Sequence, residues 1–336
     1  MIINNRNYLE INWLRAFAVI LLVTWHCLFC VQFVWGVVTP GRDVLPFMLI
    51  SRLIIPDAMM PLFTFISGYL FCALFFERGK YQEFGLFLWS KVKRLIIPFF
   101  VFSPLIIWTS YNMNFTDFIW GEGCHMWYCP MLFWCFILAW VLLKINSKAV
   151  IIIVSLFSTC LVFAYPNLWF LPFRLPLGID NGFYYFSYFA FGGAINRYKT
   201  CIYNKMGNMS TIWLVLAAYI ALWIINCMGI LFISRLASSL QCYLFVVLLW
   251  LVVMKYVENS KRRLNEKLSQ LCKCSFGIYV FHHWIAWDIV WFPPLRFFLQ
   301  NNYLWLPVLA TPIIFVVSYG LTKVLLKTRI GLFLLA

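Results

Sequence analysis

The sequence is poor in charged residues, above all in acidic ones. Asp and Glu together number 11 against 26 Lys and Arg, and charged residues make up 11% of the 336 residues. Hydrophobic residues make up 64%, and no stretch is rich enough in Gly, Ser or charge to form a linker or a separate soluble domain. This composition excludes an ordinary soluble protein and indicates one integral membrane domain over residues 1–336.

Apolar runs long enough to cross a bilayer recur along the chain. They predict an all-α polytopic membrane protein with about ten transmembrane helices. The first run is too long for the apolar core of a signal peptide, so we interpret it as a retained span. The predicted spans cover residues 11–35, 56–76, 95–111, 126–143, 149–165, 183–196, 211–233, 237–254, 275–293 and 304–322.

The positions of the basic residues test this division. With the N-terminus in the cytoplasm, the segments on that side hold 21 of the 26 Lys and Arg residues. Connecting segments that are alternately rich and poor in Lys and Arg are expected for an even number of spans with both termini cytoplasmic. It explains the net charge of +15 without a nucleic-acid partner, because the basic residues lie in separate short loops. A face this basic would attract anionic ligands or anionic membrane lipids.

Arg15 and His26 lie in the first apolar run, where a charged or titratable side chain is costly. Eleven residues on an α-helix bring two side chains to within about 20° in azimuth and about 16 Å along the axis. His26 could exchange a proton with a hydroxyl, or it could be a packed histidine bonded to a carbonyl. Arg15 could bind the phosphates of a long anionic donor, or it could reach lipid headgroups and set the orientation.

Two further segments carry residues that could bind such a donor. Ser67 and Gly68 lie in the middle of the second span, where small residues either allow close helix packing or open a channel for a slender ligand. Lys91 and Arg94 are three residues apart before the third span, which predicts a shared helix face that could bind phosphate. Anchoring of the span at the cytoplasmic surface explains the same pair.

Residues at the start of the fourth span are candidates for binding an acceptor. Glu122, His125 and Trp127 could contact a sugar on the outer side of the membrane. Trp127 followed by Tyr128 is also typical of an interfacial aromatic belt, which is the commoner arrangement.

The ninth span again places histidine at membrane depth. Tyr279 and His283 are four residues apart and share a helix face, whereas His282 points about 100° away. Tyr279 and His282 are further candidates for contact with an acceptor. An adjacent His pair without carboxylates nearby is a poor metal site, so we predict no metal.

Together these segments resemble the membrane-bound acyltransferase-3 family, whose multi-span members O-acylate extracytoplasmic glycans and related acceptors. The resemblance covers nearly the whole chain. Two positions depart from the family pattern: Thr64 stands where a second Phe is usual, and Lys91 replaces the first of two arginines. The segments that carry the resemblance are residues 8–11 leading to Arg15 and His26, residues 65–71, Lys91 with Arg94 before Pro98, residues 125–128, residues 189–192, and residues 277–279 with His282.

The resemblance implies an acyltransferase of the bacterial inner membrane with His26 as the catalytic group, supported by Arg15. The donor would be acyl-coenzyme A, a co-substrate and not a permanently bound cofactor. We expect it to contact Arg15, Ser67, Lys91 and Arg94. The acceptor would be a hydroxyl of a glycan or a lipid-linked sugar. The His282-His283 doublet and residues 329–334 resemble the branch that modifies periplasmic glucans with succinyl groups, so the acyl group would be acetyl or succinyl.

The alternative hypothesis is a polytopic carrier or exporter of a glycan or lipid-linked sugar, with Arg15 and His26 along the permeation route. This hypothesis predicts movement of substrate without consumption of an acyl donor. A third hypothesis, a structural subunit of an envelope complex, would leave both residues dispensable.

Overall fold

A computed structural model of the chain describes residues 8–31, 58–110, 119–121, 124–165, 175–228, 231–260, 266–294, 297–298 and 306–335. Helices make up most of these residues, and no strand occurs among them. The prediction of an all-α polytopic membrane protein is confirmed.

Twelve α-helices lie within the described residues. Two π-helical segments, Ala73–Glu77 and Val92–Ile96, directly follow α2 and α3, and 3-10 turns at Cys124–Trp127 and Pro176–Gly178 precede α5 and α7. The α-helices are α1 (Leu9–Val31), α2 (Met59–Cys72), α3 (Phe84–Lys91), α4 (Ile97–Ser110), α5 (Tyr128–Ile145), α6 (Lys148–Ala164), α7 (Ile179–Met206), α8 (Met209–Cys227), α9 (Leu231–Ser260), α10 (Glu266–Trp291), α11 (Leu306–Leu325) and α12 (Arg329–Leu335).

Each predicted span overlaps a helix, and six helical segments within the described ranges are long and apolar enough to cross a membrane. A seventh segment, Lys148–Ala164, is apolar but shorter. The total of ten crossings therefore stays a prediction. The six segments are Leu9–Leu28, Met59–Glu77, His125–Ile145, Met209–Cys227, Leu236–Glu258 and Val308–Leu325.

Several helices extend beyond the apolar runs that predicted them. The sixth span, expected to be short at residues 183–196, is the 28-residue helix α7. Residues 77–94 and 256–273 lie between predicted spans, yet the first range contains α3 and the second contains the end of α9 and the start of α10. Hydropathy marks only the membrane-embedded part of a helix, whereas Lys, Arg and Glu have high helix propensity and continue it into the polar zone.

The chain divides into two compact units. Within the first unit, α1, α10 and α11 pack against one another. Within the second, α7 packs against α5 and α6, and α8 packs against α9. The first unit consists of Met1–Met59, Leu105–Asn112 and Arg263–Ala336, and the second of Met60–Pro104 and Met113–Arg262.

In the first unit, α1 and α10 run in the same direction. Near the start of α10, the thiol of Cys272 donates a hydrogen bond to the carbonyl oxygen of Asn12, at 3.3 Å. Further along both helices, His282 lies beside His26. This parallel arrangement agrees with the predicted topology, in which the first and ninth spans cross the membrane in the same sense.

In the second unit, α2 and α7 cross with their backbones in close contact. A Cβ atom on Gly68 would clash with the carbonyl oxygen of Phe189, and one on Gly192 would clash with that of Phe65. Only glycine permits such an approach. Of the two explanations for the small residues at Ser67-Gly68, the structure therefore supports close helix packing.

Candidate active site

Three histidines meet where α1 packs against α10. The ring centroid of His26 lies 4.6 Å from that of His282 and 4.7 Å from that of His283, both in edge-to-face geometry. All three side chains are buried. Adjacent residues of a helix diverge by about 100°, which lets both members of the doublet contact one imidazole at different positions. No group of three His, Cys, Asp or Glu side chains within the described ranges could hold a metal ion.

Hydrogen bonds determine where two of these rings carry their protons. His26 Nδ1 lies 2.9 Å from the carbonyl oxygen of Leu22, and His282 Nδ1 lies 2.9 Å from that of Ile278. A carbonyl oxygen can only accept, so each Nδ1 carries the hydrogen when these bonds form. His282 Nε2 then has a lone pair and lies 3.2 Å from His26 Nδ1, as a second acceptor for the same N–H. In neutral His26 the lone pair that can take a proton is consequently on Nε2.

Arg15 lies on the same helix as His26, and α1 is an unbroken α-helix between them. The predicted separation of about 16 Å along the axis therefore applies. Arg15 is half-buried. Burial raises the pKa of the Cys272 thiol on α10, and the positive charge of Arg15 opposes that rise. Arg15 thus lies near Cys272 of α10, and His26 contacts the two histidines of the same helix.

The structure also brings Tyr279 close to the histidines. Its ring centroid lies 6.2 Å from that of His282, and its side chain is buried. Sequence reasoning selected His26, His282 and Tyr279 separately but left His283 out of the candidate site. The His-His doublet was the available signal, because two adjacent residues can both contact a third one on a neighbouring helix. A role of Tyr279 and His282 in binding the acceptor stays a prediction.

The two cations predicted to bind phosphate together differ in exposure. Lys91 is buried at the end of α3, whereas Arg94 is exposed. The segment Val92–Ile96, which contains Arg94, is π-helical, so the two residues lack the regular α-helical spacing on which the prediction of a shared face depended. The binding of a donor phosphate by Lys91 and Arg94 stays a prediction.

The ammonium group of Lys91 lies among aromatic rings of the second unit. Its Nζ is 3.7 Å from the ring centroid of Phe136, 4.5 Å from that of Tyr81 and 5.8 Å from that of Phe87. The faces of such rings attract a cation. Burial is the main cause that lowers the pKa of Lys91 well below its usual value, and the positive charges of Arg94 and Lys80 lower it further.

Ser67 is half-buried and already bonded within its own helix. Its Oγ donates to the carbonyl oxygen of Phe63, at 2.9 Å. Contact of Ser67 with a donor stays a prediction.

The predicted outer-face residues are only partly described. Glu122 lies outside the described residues. His125 and Tyr128 are buried, and the half-buried Trp127 packs its ring 5.6 Å from that of Tyr185 on α7. An aromatic belt would leave such rings exposed at the membrane surface. Tyr128 is instead buried within the second unit, whereas Trp127 keeps part of its ring exposed.

Apolar helices, the parallel packing of α1 on α10 and a buried cluster of three histidines describe a polytopic membrane protein with a polar group inside its helix packing. The family profile described as "Acyltransferase domain" matches residues 8–325. The chain therefore belongs to the acyltransferase-3 family and is a membrane acyltransferase. No curated protein sequence and no solved structure matches it at a significant level.

Proposed function

We propose that this acyltransferase moves an acetyl or succinyl group from acyl-coenzyme A to a hydroxyl of an extracytoplasmic glycan or lipid-linked sugar, with His26 as general base. The observation that carries the proposal is the position of His26 Nδ1, which lies within hydrogen-bond distance of Leu22 O and His282 Nε2. A general base needs a lone pair on one fixed atom, and these two contacts leave it on Nε2.

In the proposed step, His26 Nε2 takes the proton of the acceptor hydroxyl while the oxygen attacks the thioester carbonyl carbon. The tetrahedral intermediate collapses, the carbon–sulfur bond breaks, and an ester and a coenzyme A thiolate form. The proton on His26 then passes to the thiolate, which leaves as the free thiol and restores the neutral imidazole. While His26 is charged, the two acceptors of its Nδ1–H stabilise the imidazolium.

Arg15 supplies the fixed positive charge in this proposal. It lies about 16 Å from His26, towards the end of α1 that the basic-residue pattern assigns to the cytoplasm. A guanidinium binds phosphate oxygens with two parallel hydrogen bonds. Coenzyme A carries its phosphates far from its thioester, and a molecule of that shape suits a cation and a base on one helix face.

Of the two cations predicted to bind the phosphates of the donor, Arg94 suits that role better than Lys91. The guanidinium of Arg94 is exposed, whereas the ammonium of Lys91 would have to leave its contacts with Phe136 and Tyr81. Ser67 remains a proposed neighbour of the donor. His125, Trp127 and Tyr279 remain proposed contacts of the acceptor.

The acyl group and the acceptor can be identified together. Envelope glycans from cells with and without this chain are compared by mass spectrometry before and after mild alkali, which removes esters. We expect a mass increment of one acetyl or succinyl ester that depends on the chain and disappears in alkali. Identical glycans in both cells would contradict a glycan acceptor.

A further inference from the structure

A cavity of about 500 Å³ lies within the second unit, formed by α2, α5, α6, α7 and α9. Along α7 its lining extends from Phe186 to Arg197, which corresponds to about 16 Å of helix. The volume is in the range of sites that bind small organic molecules. Most of the lining is apolar, including Leu142, Leu143 and Ile151 at the same end as Arg197.

Two of the hydroxyl groups that line this cavity donate hydrogen bonds within the protein. Thr159 Oγ1 donates to the carbonyl oxygen of Ser155, at 2.8 Å. The hydroxyl of Tyr243 donates to Ser187 Oγ, also at 2.8 Å. These two protons are already bonded and most of the lining is apolar, so the interior suits a hydrocarbon chain.

Arg197 is the one charged side chain among the residues that line the cavity. It is exposed, and its guanidinium carbon lies 5.2 Å from the ring centroid of Phe76. Within the described ranges no carboxylate forms an ion pair with it. The basic-residue pattern places this end of α7 at the cytoplasmic surface, where anionic lipid headgroups lie.

We propose that the cavity binds one hydrocarbon chain of an anionic phospholipid of the cytoplasmic leaflet, with the phosphate of its headgroup on Arg197. Basic pockets between membrane helices on the cytoplasmic side bind the anionic headgroups of lipids. The short acyl groups of the proposed reaction would leave most of the cavity unfilled. The proposed lipid site is argued from the cavity and Arg197 alone and does not rest on the proposed donor or acceptor.

The test uses the full chain, purified in a non-ionic detergent and freed of lipid, and titrated with phosphatidylglycerol under native mass spectrometry. Zwitterionic phosphatidylcholine tests the need for net negative charge, and glycerol phosphate tests a headgroup without a chain. Arg197→Gln is compared with Lys205→Gln, which removes the same charge from an exposed position on the same helix. Ala190→Phe fills the cavity, and Ala218→Phe adds the same bulk to an exposed position on α8.

We expect the wild-type chain to bind one phosphatidylglycerol. Arg197→Gln should bind it about fivefold more weakly than wild type, and Lys205→Gln should bind it with wild-type affinity. Ala190→Phe should abolish this binding, and Ala218→Phe should retain it. Equal affinity for phosphatidylcholine, equal binding by Arg197→Gln, or equally tight binding of glycerol phosphate would each overturn the proposal. If Ala190→Phe fails to fold, the Arg197→Gln and Lys205→Gln pair decides the outcome alone.

Discussion

Helices α1 and α7 each carry an arginine eleven residues from a buried side chain, but the surroundings of the two arginines differ. Arg15 shares α1 with His26, whose ring contacts two further histidines. Arg197 shares α7 with Phe186, and the space between them is an apolar cavity. An arginine at a membrane surface is therefore uninformative by itself. We propose that the groups about 16 Å below each arginine give the two sites different functions, proton transfer on α1 and binding of a hydrocarbon chain on α7.

The largest expected effect is on the α1 side of this comparison. Replacing His26 with Ala should lower the rate of acyl transfer about 10³-fold, because no other group would take the hydroxyl proton. His26→Gln should be equally inactive, since an amide of similar size has no basic lone pair. The rates are measured with purified variants in lipid vesicles, and thermal unfolding checks that the variants are folded. Full activity of either variant would contradict the role of His26 as general base, which is the feature that distinguishes α1 from α7.

A smaller loss should follow when the second acceptor of the His26 Nδ1–H is removed. We expect His282→Ala to lower kcat about 30-fold with little change in KM for the donor, since His282 positions His26 and stabilises its charged form. His282→Gln should recover part of the rate, because its amide oxygen can accept the same hydrogen bond. His283→Ala, which removes only a ring contact, should have a smaller effect than His282→Ala. Equal losses in all three variants would indicate a purely structural role for the doublet.

On the α7 side, the largest expected effect is on stability. Gly192→Ala would place a Cβ atom against the carbonyl oxygen of Phe65 and should lower the free energy of unfolding by about 2 kcal/mol. Gly320→Ala on α11 is the matched control, because nothing lies within 4 Å of its Cβ position. Thermal unfolding in detergent measures both. A stable Gly192→Ala variant would show that α2 and α7 do not need their close approach.

The smallest effect should come from Lys91. Its lowered pKa means that the unfolded chain binds more protons than the folded chain below the usual lysine pKa of 10.5. The stability of the wild-type chain should consequently rise as pH increases towards that value. Lys91→Met should lack this rise and should be more stable at pH 7 by about 1 kcal/mol. If Lys91→Met is less stable at pH 7, attraction by Phe136 and Tyr81 outweighs the cost of burial.

The outline of the fold was predictable because hydropathy and charge are local properties of the sequence. The same holds for the pair Arg15 and His26, whose spacing needs only a continuous helix. The contact of His26 with His282 and His283 depends on which helix packs against α1, and no local pattern encodes that choice. The burial of Lys91 also escaped prediction, because its aromatic neighbours Tyr81 and Phe136 come from other parts of the chain.

The most direct test of the central claim follows both products of one reaction. The purified chain is reconstituted in vesicles with an acceptor glycan and with acetyl-coenzyme A labelled in its acyl group. We predict that the label appears as an ester on the acceptor, with one free coenzyme A thiol released for each ester formed. Movement of the acceptor across the vesicle membrane without release of thiol would contradict acyl transfer from coenzyme A and would support a carrier instead.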